Sequence, residues 1–160
     1  MLANIKEIVD LLIKHKLTLS TCESVTCGTI GSLFGHVPGV SNCYCGGFIT
    51  YNNEQKIKLV NVNEQDLKKY GAVSSVVAEQ MALGCKNKTK STISLSITGN
   101  AGPNPMENKP VGLAYVCIVV VDKAYAFELH SKETNRERII LDLSLLAIDK
   151  LFSLIKKICK

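Results

Sequence analysis

The sequence contains no apolar run that approaches the roughly 20 residues needed to span a membrane. It also shows no secretory signal, because residues 1–16 alternate charged and apolar groups where a signal peptide has a continuous apolar stretch. These two absences predict a soluble, cytoplasmic protein without a membrane partner. Cysteines are kept reduced in such a compartment, so disulfides are not expected.

The closely paired cysteines of structural zinc sites are missing as well. Four of the seven cysteines, Cys22, Cys27, Cys43 and Cys45, have the spacing C-x4-C-x15-C-x-C, which differs from the C-x2-C pairs of zinc sites. Small buried thiols are therefore the favoured interpretation, and a zinc protein is a distant alternative. The three histidines fit no metal or catalytic-triad pattern either.

A continuous basic surface is also absent. The chain has 19 Lys plus Arg against 14 Asp plus Glu, a formal charge of +5, but its lysines are scattered, with short clusters only at 68–69, 86–90 and 156–157. No basic stripe alternates with exposed aromatics, so nucleic acid is not an expected partner. The small positive excess is better suited to attracting a small anionic ligand.

Neither G-x-G-x-x-G nor a P-loop is present, and no repeat, linker or low-complexity segment marks a second domain. With 160 residues, of which 46% are hydrophobic, the chain is long enough to bury one core. We therefore predict a single domain over residues 1–160.

Strand and helix patterns alternate along the chain. Strands are predicted at 17–21, 46–51, 92–98, 111–121 and 125–131. Helices are predicted at 3–15, at 28–33, at 54–60, and after Asn63, Ser74 and Thr134. For the last helix, Thr134 and Glu137 fit a capping box. Its predicted apolar face consists of Ile140, Leu143, Ala147, Leu151, Leu154 and Ile158. This order predicts an α/β fold with a mixed, mostly parallel sheet between two helical layers.

Three polar segments follow predicted strands, where open α/β sheets bind ligands: Glu23–Gly28, Ser41 with Thr50–Lys56, and Thr98–Pro110. The first would leave backbone N–H groups free to hold an anion or an oxyanion at the start of a helix. A serine near a tyrosine and a lysine can act as a nucleophile. The lysine or the tyrosine takes the proton when burial or a neighbouring cation lowers its pKa.

Each of these residues also has an ordinary structural interpretation. Ser24 and Thr26 are typical helix caps, Tyr51 is typical half-buried sheet filling, and Lys56 is typical of a solvated helix surface. Arg136 lies in the first turn of the last helix, where the helix dipole disfavours a cation, which hints at another role. Spacing alone leaves both interpretations open.

Several longer segments resemble one known family. In order, they are Thr21–Gly28, Val37–Ser41, Gly47–Lys56, Tyr70–Ser74, Ser96–Pro103 and Lys109–Gly112. The first resembles T-A-E-S-C-T-G-G of the CinA C-terminal domain, the nicotinamide-mononucleotide deamidases. The similarity runs in order from about residue 5 to residue 155.

The resemblance implies a three-layer α/β/α fold and a stand-alone amidase that converts nicotinamide mononucleotide to nicotinate mononucleotide and ammonia, with no metal or organic cofactor. It also implies a homo-oligomer, a dimer or larger. The catalytic positions carried over are Ser41 as nucleophile, helped by Ser24, Tyr51 and Lys56. The positions carried over for the nucleotide are Thr26, Gly28, Thr98, Gly99 and Arg136.

The sequence departs from the family pattern at three places. Cys27 replaces a glycine of C-T-G-G, Pro105 and Met106 replace the glycines of A-G-P-x-G-G, and Ile140 replaces an arginine. Glycine permits a positive φ and proline stiffens a loop, so these changes affect binding surfaces more than the serine and lysine positions. The alternative to an enzyme is therefore a non-catalytic nucleotide-binding or assembly module with the same fold.

Overall fold

The structure, a computed structural model, describes residues 2–159. The helices within this range are α1 (Leu2–Lys14), α2 (Thr29–Gly35), α3 (Asn53–Val60), α4 (Glu64–Tyr70), α5 (Ser75–Thr89) and α6 (Arg136–Ile158). The strands are β1 (Leu19–Glu23), β2 (Tyr44–Ile49), β3 (Ile93–Gly99), β4 (Leu113–Val120) and β5 (Lys123–His130). A single 3-10 turn, Val40–Asn42, precedes β2.

The five strands form one mixed sheet in the order β2-β1-β3-β4-β5. β1 pairs in parallel with β2 and with β3, whereas β3 with β4 and β4 with β5 are antiparallel pairs. Four strands therefore point the same way and β4 runs in the opposite direction. Because β4 lies between β3 and β5, two of the four pairings are antiparallel. The late hairpin predicted from the sequence is the β4–β5 pair.

Helices cover both faces of the sheet, which confirms the three-layer α/β/α class. α1, α2 and α6 pack on one face over the larger hydrophobic core, and α3, α4 and α5 lie on the other. β1 and β3 are buried along their whole length because both have a strand on each side and helices on both faces. Fully buried parallel strands are typical of this class. No helix within residues 2–159 combines the length and apolarity of a membrane span.

The helix starts of the second layer follow the predicted caps. The side chains of Asn52, Asn63 and Ser74 accept hydrogen bonds from backbone N–H groups in the first turns of α3, α4 and α5. These contacts satisfy donors that a helix start otherwise leaves unpaired.

The start and the apolar face of α6 differ from the prediction. The cap is Asn135, whose side chain accepts from the N–H groups of Glu137 and Arg138, so the predicted capping box at Thr134 is wrong. The amide oxygen reaches both donors only from the residue that directly precedes the helix. Ile140 is half-buried and Ile158 is exposed, whereas Ile139, Ile148 and Ile155 belong to the core.

Three loops meet at the carboxyl ends of the parallel strands. The turn after β1, residues 24–28, the segment after β2, residues 50–52, and the loop after β3, residues 100–112, all leave the sheet at this edge. Their meeting point is where open α/β sheets usually bind ligands.

Candidate functional site

A cleft with two lobes opens at this edge of the sheet. The Lys56 lobe has a volume of about 300 Å³ and the Arg136 lobe about 350 Å³. Ser24, Tyr51, Gly99 and Met106 line both lobes and therefore lie where the two lobes meet.

Lys56 lies against Ser24 in the interior of the cleft wall. Its Nζ donates to Ser24 Oγ at 3.0 Å and to the Thr50 carbonyl oxygen at 2.8 Å, and the side chain is only 1% exposed. Burial lowers the pKa of Lys56 to about 8, against the opposing influence of the Cys22 thiol and the Glu107 carboxylate. An appreciable fraction of this amine is therefore neutral near pH 8 and able to take the proton of the serine hydroxyl.

Arg136 reaches the cleft from the first turn of α6. Its guanidinium donates to the Tyr51 hydroxyl at 2.9 Å and to the Gly102 carbonyl oxygen. Because the tyrosine oxygen accepts from the cation, the phenolic proton is available to a ligand in the cleft. The helix dipole disfavours a cation in the first turn of α6, but from this position Arg136 connects α6 to Tyr51 and to the loop after β3.

Thr98 and Gly99 end β3 at the floor of the cleft. The buried Thr98 hydroxyl donates to the Ala72 carbonyl oxygen at 2.9 Å, so it offers a ligand only lone pairs. A Cβ on Gly99 would lie 2.7 Å from the Leu113 carbonyl oxygen and 2.6 Å from the Ala114 Cβ. Glycine is therefore needed here for the close approach of β4.

The carboxylate of Glu23 occupies the turn after β1, where the sequence pattern predicts a site for a bound anion. Glu23 ends β1 and is buried. Its Oε2 accepts from the Thr26 hydroxyl at 2.6 Å, from the Gly28 N–H at 3.0 Å and from the Ile30 N–H at 3.1 Å, and its Oε1 accepts from the Gly31 N–H at 2.8 Å. The Thr26 hydroxyl and the Gly28 N–H are therefore taken by the protein's own carboxylate, and a role for Thr26 and Gly28 in binding substrate stays a prediction.

Removing the charge of Glu23 is expected to destabilise the fold. In Glu23→Gln the amide group would place N–H donors against backbone N–H donors, at a cost of about 2–4 kcal/mol in the free energy of unfolding. Urea unfolding followed by circular dichroism measures this loss, with Glu137→Gln, at an exposed position of α6, as the matched control. A loss equal to that of the control would contradict the anchoring role.

Ser41 lies away from this cleft. It is exposed in the 3-10 turn before β2, whereas Tyr51 and Lys56 follow the other end of that strand. Six residues of extended chain, roughly 17 Å, separate the two ends. The structure therefore does not bring Ser41 to Lys56, and the role of Ser41 as nucleophile stays a prediction without a contact to this lysine. The serine beside Lys56 is Ser24.

Three residues of the site were missed by the sequence reasoning. Asn100 shapes the loop after β3, since its Oδ1 accepts from the Gly102 N–H at 2.9 Å and its Nδ2 donates to the Asn104 carbonyl oxygen at 3.1 Å. Glu107 and Lys109 fasten the far end of the same loop to residues 70–73. An asparagine inside a Gly-Asn-Ala-Gly-Pro loop is a recognisable turn signal. No local pattern identifies the other two.

The departures from the family pattern fall on the rim of the cleft and outside it. Cys27 has a φ of 48°, so the replaced glycine does occupy a left-handed position. Pro105 and Met106 line the Arg136 lobe, and Ile140 lies half-buried on α6. Met106 also lines the Lys56 lobe, whereas the hydrogen bonds of the Lys56 amine go to Ser24 and Thr50.

All seven cysteines, which lie within the described part of the chain, are free thiols. Burial raises the pKa of Cys22 to about 12 and that of Cys43 to about 11, which makes both thiols poor nucleophiles. Within residues 2–159 no three His, Cys, Asp or Glu side chains are grouped closely enough to hold a metal ion.

The fold and the cleft define an open α/β domain that carries a buried serine–lysine pair at the carboxyl ends of its parallel strands. The CinA C-terminal domain matches the chain over residues 2–155, and the chain belongs to that family. Its relatives include "Protein MG115" of Mycoplasma genitalium, which is 40% identical over 137 residues, 86% of each chain.

A "CinA-like protein" of Nostoc punctiforme is 51% identical over 108 residues, and the match covers 67% of this chain but 26% of that longer protein. Among solved structures, a competence-damaged protein (CinA) superfamily protein of Escherichia coli superposes with a TM-score of 0.91 at 28% identity. The match covers 94% of this chain and 88% of that one. A competence/damage-inducible protein of Agrobacterium tumefaciens is similar at 30% identity and a TM-score of 0.85, with coverage of 94% and 95%.

Proposed function

We propose that this domain hydrolyses a carboxamide, with Ser24 as the nucleophile and Lys56 as the general base. The observation that carries the proposal is the 3.0 Å contact between Ser24 Oγ and a buried lysine amine whose pKa is lowered to about 8. A serine hydroxyl needs such a base, because at its own pKa it is a weak nucleophile.

The reaction divides into two steps. Ser24 Oγ attacks the amide carbon and passes its proton to Lys56 Nζ, which delivers it to the amide nitrogen as the carbon–nitrogen bond breaks and ammonia leaves. Water then attacks the acyl-serine and gives a proton to the neutral amine, which passes it to Ser24 Oγ as the ester bond breaks. This regenerates the serine and releases a carboxylic acid. The Thr50 carbonyl holds the amine in place between the two steps.

The N–H groups of Gly28, Ile30 and Gly31 are occupied by the Glu23 carboxylate, so the oxyanion needs another donor. The Tyr51 hydroxyl is the candidate, since it lines both lobes and accepts a hydrogen bond from Arg136. A hydroxyl that accepts from a guanidinium is a stronger donor to a developing negative charge.

The substrate we propose is nicotinamide mononucleotide, which is converted to nicotinate mononucleotide and ammonia. With its carboxamide at Ser24, the ribose and the phosphate would extend into the Arg136 lobe. The guanidinium in that lobe suits a phosphate, and the overall charge of +5 favours the approach of an anion.

A nucleotide-binding module without catalysis is the second candidate. The observation that favours it is the position of Pro105 and Met106 on the rim of the Arg136 lobe, where the family pattern has glycines. Bulkier residues there narrow the space for a nucleotide, and Met106 also lines the Lys56 lobe.

Ammonia release from nicotinamide mononucleotide separates the two candidates. We expect the purified protein to release one ammonia for each nicotinate mononucleotide formed, and to act more slowly on free nicotinamide, which lacks the phosphate. Ammonia that persists with Ser24→Ala would indicate a contaminating amidase. A thermal shift with the mononucleotide but no ammonia, from this and related amides, would support the module and contradict the amidase.

A further inference from the structure

Glu107 lies in a strained turn at the edge of the cleft. Met106 and Lys109 form an antiparallel bridge, and between them Glu107 and Asn108 have φ values of 55° and 58°. Two-residue turns with both central φ values positive favour Asn and Gly, because a side chain in this region costs about 1–2 kcal/mol. A glutamate at the first central position therefore needs a compensating interaction.

Its carboxylate supplies that interaction. One oxygen accepts from the Ala72 N–H at 2.9 Å and the other from the Val73 N–H at 3.0 Å, across more than thirty residues of chain. Lys109, whose Nζ lies 3.9 Å from the carboxylate, donates to the carbonyl oxygens of Tyr70 and Val73. We call Glu107 and Lys109 with their contacts on residues 70–73 the loop clamp.

The clamp requires a glycine beside it. A Cβ on Gly71 would lie 2.4 Å from Glu107 Oε2, and Gly71 has a φ of 79°. Because glycine has no side chain, position 71 leaves open the space that the Glu107 carboxylate occupies.

The clamped residues form the wall of the Lys56 lobe. Ala72, Val73 and Glu107 line it together with Ser24 and Lys56. The Thr98 hydroxyl bonds to the carbonyl oxygen of Ala72, so the same segment is held both from β3 and from the loop.

Glu107 also acts on the lysine through its charge. The Cys22 thiol on β1 and the Glu107 carboxylate are the ionisable groups that oppose the effect of burial on the Lys56 pKa. Tyr51 is the other ionisable side chain of the lobe, and Glu54 and Lys58 on α3 itself are exposed. Since the Cys22 thiol is protonated at neutral pH, Glu107 is the permanent negative charge among them.

We propose that Glu107 is a positioning residue of the site: its carboxylate holds the loop after β3 against residues 70–73 and supplies the negative charge that balances Lys56. Its kinetic consequence rests on the proposed amidase function, whereas its effect on the ionisation of Lys56 does not.

The test compares the titration of Lys56 in two variants that both weaken the clamp but change its charge in opposite directions. Glu107→Gln removes a negative charge and is expected to move the Lys56 midpoint to lower pH by roughly half a unit or more. Lys109→Met weakens the clamp but leaves the Glu107 carboxylate in place, so it is expected not to lower the midpoint. The midpoint is read from the 13Cε signal of Lys56, assigned by its loss in Lys56→Met, and Glu54→Gln is the matched control.

A midpoint that falls in Glu107→Gln but not in Lys109→Met, with an unchanged control, would support the proposal. A midpoint that does not fall in Glu107→Gln, or that falls in both variants, would overturn it, because a purely structural clamp does not depend on the sign of the lost charge. The acid limb of the kcat/KM profile is expected to follow the midpoint. A wild type without turnover would count against the amidase, while the titration would still decide the role of Glu107.

Discussion

Ser24→Ala is expected to lower kcat for ammonia release from nicotinamide mononucleotide by about 10³-fold or more, the usual cost of deleting a serine nucleophile. The reason is local, since Ser24 Oγ is the hydroxyl within hydrogen-bond distance of the buried Lys56 amine. The fold is expected to persist, because the small side chain of alanine fits the buried position of Ser24. Steady-state kinetics, with circular dichroism as the check on folding, measures the effect.

Ser41→Ala is the matched control for this experiment. Ser41 is exposed at the opposite end of β2, so its removal is expected to leave kcat within about twofold of wild type, as for other exposed surface substitutions. Loss of turnover in Ser41→Ala together with full activity in Ser24→Ala would reverse the assignment of the nucleophile.

Lys56→Met is expected to abolish turnover and to make the protein more stable at pH 7. Burial lowers the pKa of Lys56 from its ordinary value of 10.5 to about 8, so keeping this side chain protonated in the fold at pH 7 costs about 3 kcal/mol. Methionine fills a similar volume without charge. Loss of the hydrogen bonds to Ser24 and to the Thr50 carbonyl offsets part of this gain, leaving about 1–2 kcal/mol.

The sign of the pH dependence follows from the direction of the shift. Between pH 8 and 10.5 the unfolded lysine binds more protons than the folded one, so the contribution of Lys56 to the unfolding free energy rises with pH in this window. The stability advantage of Lys56→Met is therefore expected to shrink as the pH is raised from 7 to 10. The buried Cys117 thiol, whose pKa is raised to about 12, weakens both proteins above pH 9, and because Lys56 does not act on it this effect cancels in the difference.

Urea unfolding of both proteins at pH 7 and at pH 10 measures the two differences. Lys58→Met, which removes an exposed lysine of the same helix, is the matched control and is expected to show neither effect. A Lys56→Met variant that is less stable than wild type by the same amount at both pH values would contradict a buried amine with a lowered pKa.

Much of the fold follows from short-range patterns in the sequence. Asn52, Asn63 and Ser74 mark helix starts that the structure confirms, because a cap acts within three residues of itself. The long apolar strand after Pro110 and its hairpin partner follow from the same kind of local signal. Local patterns predict the ends of the strands less well. β1 extends to Glu23, two residues beyond its predicted end, because pairing with β2 and β3 continues that far.

The site depends on contacts that no local pattern contains. Ser24 and Lys56 are 32 residues apart, and only the parallel pairing of β1 with β2 brings the segments that follow these strands together. The resemblance to the family supplied both positions, but it also supplied Ser41, which the path of β2 takes to the other end of the sheet.

The carboxylates of Glu23 and Glu107 also have roles that local sequence patterns do not predict. Glu23 fills the turn predicted to bind an anion, and this becomes visible only when the side chain folds back onto the helix start. Glu107 bonds to backbone groups 34 and 35 residues away, so its role depends entirely on tertiary structure.

The most direct test of the account is the ionisation of Lys56 in the wild-type protein. A pH titration of 13Cε-labelled lysines is expected to show one signal, absent from Lys56→Met, with a midpoint near pH 8. The acid limb of kcat/KM for ammonia release is expected to have the same midpoint. If the Lys56 signal titrates near 10.5 like an exposed lysine, the amine is not the base that activates Ser24, and the central claim fails.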